Sequence, residues 1–127
     1  MEKLVHIIKN YWKSLLISSI IFYISIIRSS PFQLPPFPYQ DKLIHFIMYF
    51  SLTAVFFYDT KQGKNKVKNA VLILIALVIP ICYGACIELL QDAYFYPRTA
   101  SWLDFLANTT GSITAFLLMH FLFFKKQ

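Results

Sequence analysis

Four long stretches of this chain carry almost no charge, and they leave few ways to fold. They run from about Tyr11 to Ile27, Leu43 to Tyr58, Asn69 to Leu90 and Trp102 to Phe124. A chain of 127 residues fits one domain, and a soluble domain of that size needs a far more polar surface than 57% hydrophobic residues allow. In a bilayer each span must satisfy its own backbone hydrogen bonds, so all four stretches are predicted as helices. The expected fold is an all-α integral membrane domain over 1–127, a bundle of four transmembrane helices at about 11–28, 41–59, 68–92 and 101–124. The first two are short: roughly 17 residues at ~1.5 Å each reach only ~26 Å.

Lysine placement sets the orientation. Lys3, Lys9 and Lys13 precede the first span, Lys61, Lys64, Lys66 and Lys68 fill the second loop, and Lys125 and Lys126 follow the last span. The other two loops hold only Arg28, Lys42 and Arg98. The positive-inside rule then makes both termini and the lysine loop cytoplasmic, with Trp12 and Trp102 at opposite interfaces. Topology and solvation account for "KQGKNKVK" better than binding to nucleic acid, and no nucleic-acid partner is expected. A cleaved signal peptide is disfavoured, since Arg28 directly follows the first apolar run without an A-x-A-like site. The loop "SSPFQLPPFPYQ" holds four prolines, so extended chain is expected on the outer side, as a lid or a stiff connector. Cys82 and Cys86 are four apart and read as small residues for helix packing.

On this topology three separate stretches bring polar groups to one membrane face. Asp41, Lys42 and His45 open the second helix. Glu88, Gln91 and Asp92 close the third, Arg98 lies in the loop, and Ser101, Asp104 and Asn108 open the fourth. Nothing comparable is expected in the opposite halves of the helices. Helical spacing aligns Asp41 with His45, Gly84 with Glu88 and Gln91, and Asp104 with Asn108, Gly111 and Ala115. Small residues deeper on each stripe allow close helix approach, so the polar stripes should face the bundle interior. Four acids (Asp41, Glu88, Asp92, Asp104) against two fixed cations (Lys42, Arg98) leave −2 with His45 neutral. That balance suits a divalent metal held by some of Asp41, His45, Glu88 and Asp104, or a protonated carboxyl.

Structural readings compete at several positions. Ser101-x-x-Asp104 matches a capping box, Asp41 suits the N-cap of the second helix, and Asn108 suits an interhelical hydrogen bond. Glu88 and His45 lie a turn inside their helices, where capping does not explain them. Pro80 should kink the third span and free a carbonyl one turn back.

Two of these segments resemble the VanZ-like family of small bacterial membrane proteins. The first is "DKLIHFIMYFSL", with Asp41, Lys42, His45 and Tyr49 at the family's positions. The second is "IELLQDAYFYPRTASWLDFLANTTG", with Glu88, Gln91, Pro97, Arg98, Asp104, Asn108 and Gly111. The family often has glycine where this chain has Thr53 and Ala115. The resemblance implies a multi-pass protein of the bacterial cytoplasmic membrane and a link to low-level teicoplanin resistance; it supplies no reaction. Joined to the residues, it gives two expectations. In one, the outer polar set binds, and in a catalytic version modifies, a lipid or cell-wall precursor headgroup. Glu88, His45 and Asp104 would then carry the chemistry, while Arg98, Lys42, Asp41, Gln91 and Asn108 hold the ligand. In the other, the same residues form an interhelical network in an accessory protein. A transporter is less expected, because it needs polar groups along the whole path.

Overall fold

The computed structural model describes residues 1–27, 39–63, 66–95 and 99–125. The Pro-rich stretch and Arg98 lie outside these. Four helices make up the described chain: α1 (Glu2–Ile26), α2 (Gln40–Gln62), α3 (Asn69–Tyr94) and α4 (Trp102–Phe124). Three of them, α2, α3 and α4, are long and apolar enough to cross a membrane. The outward surface is apolar as well: Leu89, Leu103, Leu117 and Phe121 are each more than half exposed. The interior, by contrast, holds much of the polarity, which is the arrangement a lipid solvent favours.

The first helix begins nine residues before the predicted span, at Glu2, but Tyr11 interrupts it with φ −110° and ψ 18°. The expected start of the span and the break in the helix therefore coincide. Just beyond it, Ser14 N–H and Ser14 Oγ–H both donate to Asp59 Oδ2 of α2, at 3.1 and 2.8 Å. A carboxylate on a backbone N–H in the first turn after a break acts as an N-cap; here the cap comes from another helix. Lys13 Nζ stands 3.6 Å from Asp59 Oδ1, and the Tyr11 and Thr60 hydroxyls share a 3.2 Å bond. The expectation that this half of the bundle lacks buried polarity is thus corrected: Asp59 is 2% exposed.

Helix α3 is not uniformly α. Its first turn, Asn69–Ile73, runs into a π-helical segment, Leu74–Val78, before α-geometry resumes at Ile79. Ile79 N–H bonds to Leu74 O, five residues back. Pro80 follows directly and brings no N–H of its own, so the wide turn takes up the local misfit expected of a mid-span proline. Cys82 and Cys86 are free and exposed, away from the helix packing expected of them.

The closest pairing in the bundle is α2 with α4. Gly111 makes it so: a Cβ there would run into the Phe46 carbonyl. Gly84 of α3 does the same against the Tyr49 ring, 2.9 Å from where its Cβ would be. The apolar core divides in two. Ile21, Tyr49, Leu52 and Ile87 form one cluster, and Phe57, Leu72, Ala76 and Phe116 the other. The Phe57 and Phe116 rings meet edge to face, with centroids 5.5 Å apart.

A candidate site at one end of the bundle

Short connections make neighbouring helices antiparallel, so the start of α2, the end of α3 and the start of α4 share one end of the molecule. At that end the predicted stripes of α3 and α4 are buried, and that of α2 is buried at His45 but not at Asp41. His45 and Tyr49 are buried on α2, Gly84, Glu88 and Gln91 on α3, and Asp104, Asn108, Gly111 and Ala115 on α4.

The start of α2 differs from expectation. Its N-cap is Tyr39, in the left-handed region at φ 63°, with no side-chain cap. Asp41 is therefore not the cap but lies in the first turn, where a carboxylate is favoured by the helix dipole. Its side chain is 66% exposed and accepts from Lys42 Nζ at 3.1 Å. The same ammonium bonds to Asp104 Oδ1, so Lys42 bridges α2 and α4. The lysine predicted to hold an anion has its charge turned onto two carboxylates.

At the start of α4 the capping box forms by half. Ser101 Oγ accepts from Asp104 N–H at 3.3 Å. The reciprocal bond goes elsewhere: Ser101 N–H donates to Glu88 Oε2 at 3.2 Å. Glu88 thereby takes the place that Asp104 would fill in a complete box, and the Asp104 carboxylate is released toward Lys42 and His45. Asp92, exposed, accepts from Ala100 N–H at 3.2 Å and steadies the same connection.

His45 stands at the centre. Its Nδ1 pairs with Asn108 Oδ1 at 3.0 Å, and Glu88 Oε1 is 3.9 Å from that nitrogen. Its Nε2 faces Asp41 Oδ1 and Asp104 Oδ2, each at 3.8 Å. One atom each of Asp41, His45 and Asp104 fall within 4.8 Å of one another, a grouping able to hold a metal ion. Glu88 is 4% exposed, and its Oε1 has no hydrogen bond among the described residues; neither do Asn108 Nδ2 and Tyr49 OH. Unfilled buried acceptors and donors are rare in native interiors. On its lipid-facing side Glu88 borders a cavity of about 210 Å³ between α3 and α4, walled by Ala85, Leu89, Trp102 and Phe105.

The structure brings Asp41, Lys42, His45, Glu88, Asp104 and Asn108 together. Gln91 stands apart: its amide donates to Ser25 O of α1 at 2.7 Å, a tie between helices. Arg98 lies outside the described residues. Several buried polar groups escaped sequence reasoning: Ser14, Ser25 and Thr60, and with them Asp59 and Ser112. Asp59 ends a span beside the lysine loop and reads like an interfacial residue. Ser112 is 0% exposed and sits one residue past the Asp104–Asn108–Gly111 stripe.

Helical architecture, an apolar exterior and a buried polar set at one end define a small multi-pass membrane protein. The chain belongs to the VanZ/LLP1 family, which it matches over residues 3–124. It is also similar to an uncharacterized protein of Schizosaccharomyces pombe, 32% identical over 92 residues. That match covers 72% of this chain and 53% of the relative, so the chain spans about half the relative's length. The relative is fungal, so the similarity does not itself select a bacterial membrane. No solved structure matches the chain.

Proposed function

We propose that the buried polar set binds the headgroup of a lipid or a lipid-linked envelope precursor, in a four-span protein whose termini are cytoplasmic and whose site faces outward. The observation that carries this reading is Glu88: a carboxylate 4% exposed, with one oxygen held by Ser101 N–H and the other free of hydrogen bonds among the described residues. Such a group within a membrane span calls for a compensating partner. Asp59 has Lys13 at 3.6 Å, whereas among the described residues Glu88 has no lysine or arginine in salt-bridge range, a partner that a ligand would supply. The adjoining apolar cavity gives a ligand's chain a place beside the polar site. In a catalytic version His45 and Glu88 are the groups placed to move a proton, with Asp104 beside them. In a bacterial host such a protein would alter envelope composition and glycopeptide susceptibility.

The test is retention of defined lipids by the purified protein, with a polyprenyl phosphate and an anionic phospholipid as probes and phosphatidylcholine as reference. Glu88→Gln, His45→Gln and Asp104→Asn should each weaken retention of one anionic probe at least tenfold at normal abundance. Unchanged retention in all three variants overturns the reading. A second reading, an interhelical lock, is favoured by the His45–Asn108 bond and the Lys42 bridge between α2 and α4. Thermal unfolding in detergent separates the two. Ligand-site variants leave the transition unchanged or raise it, whereas lock variants lower it.

A further inference from the structure

We propose that Asp41, His45 and Asp104 form a divalent-cation site, and that Lys42 is the cation standing in for the metal when it is absent. The inference rests on the headgroup reading for its purpose but on separate geometry for its existence. The amide oxygen of Asn108 can only accept, so the 3.0 Å bond to it places the imidazole proton on Nδ1. In the neutral ring Nε2 then presents a lone pair. That lone pair faces two carboxylate oxygens at 3.8 Å, an arrangement of three electron donors around one point. Such an arrangement calls for a cation between them. The ring is also largely enclosed: His45 is 6% exposed, its side-chain hydrogen bond among the described residues is the one from Nδ1, and beside it Glu88 Oε1 and Asn108 Nδ2 are buried without a partner.

Lys42 supports this assignment. It bonds to Asp41 Oδ2 and to Asp104 Oδ1, while Asp41 Oδ1 and Asp104 Oδ2 are the oxygens nearest His45. Each carboxylate therefore gives one oxygen to the ammonium and keeps the other toward the imidazole. Asn108 orients the ring from behind, as carbonyl partners of ligating histidines do. One imidazole and two carboxylates suit Zn²⁺ or Mn²⁺ better than Ca²⁺, which takes six to eight oxygens. Three protein ligands leave coordination positions open, and a phosphate oxygen can fill one. The metal also resolves a conflict in charge. Asp41, Glu88 and Asp104 against Lys42 give the site −2 with His45 neutral, which repels an anionic headgroup unless a cation intervenes.

The experiment uses the full chain in detergent, stripped with chelator and titrated with Mn²⁺ and Zn²⁺ by calorimetry, with bound metal counted after dialysis. One ion per chain is expected. His45→Ala and Asp104→Asn should abolish saturable binding, and Asn108→Ala should weaken it about tenfold to a hundredfold. Lys42→Met should tighten binding, because the competing ammonium is gone; it also keeps the test sharp should a carboxylate variant fail to fold. Absence of saturable binding in both wild type and Lys42→Met overturns the site, as does binding that survives His45→Ala and Asp104→Asn. A final arm measures retention of a polyprenyl phosphate with and without the ion. Metal binding with no retention of the lipid in either state leaves the cation site standing and overturns the headgroup reading; retention equal in both states leaves both standing and overturns only the ion's role in holding the headgroup.

Discussion

Single side chains in this protein do two jobs where the sequence pattern suggests one. Ser101 shows it: its hydroxyl caps Asp104 N–H, while its own N–H goes to Glu88 on another helix. Ser101→Ala should therefore lower stability by about 1 kcal/mol, as loss of an N-cap does, read as a lower Tm in detergent. Gln91 is the opposite case. Its bond to Ser25 O is a tie rather than a ligand contact, so Gln91→Ala should cost about 1 kcal/mol of stability and leave lipid retention unchanged. Spacing alone separated Glu88 from its ordinary neighbours, since no cap or local cation accounts for it. Spacing could not show which partner each polar group chooses. Gln91 lies on the same stripe as Glu88, yet it faces α1, and the contact with Ser25 depends on a packing that no local pattern records.

At the level of elements, periodicity located the helices well and their irregularities poorly. The buried stripes of α2, α3 and α4 follow from i, i+4 spacing because bundle burial repeats with the helix turn. The π-helical turn before Pro80 does not, because it settles a backbone conflict that side-chain pattern does not encode. Pro80→Ala should let α-geometry extend through residues 74–78, shifting the Ile79 N–H bond from Leu74 O to Ile75 O. A structure of the variant, or amide exchange across this turn, checks it. The α2–α4 seam makes a firmer demand. Gly111→Ala places a methyl against the Phe46 carbonyl, and the helices must part or the variant unfold. Overpacking of this kind costs about 1–3 kcal/mol. The expected result is a lowered Tm together with weaker lipid retention, since the same seam sets the distance between His45 and Asn108.

For the molecule as a whole, polarity is placed at both ends of an apolar shell, and only one end was legible beforehand. The lysine pattern spoke to orientation; reporter fusions at each terminus should both read cytoplasmic. Asp59 escaped notice because an acid beside a lysine loop looks like surface, and only the fold turns it inward onto Ser14. Asp59→Ala leaves a buried N–H without its acceptor and should cost about 2 kcal/mol. That contact has a bearing on how the protein is made. After Tyr11 the described part of α1 runs through residues 12–26, roughly 22 Å at ~1.5 Å each, short of a ~30 Å hydrocarbon core. Its cap arrives with α2. During synthesis, then, the first helix gains its cap and the partner of Lys13 only once the second has emerged, and the two should settle as a pair. A nascent chain cut after residue 38 should be extracted by alkaline carbonate, and one cut after residue 63 should stay.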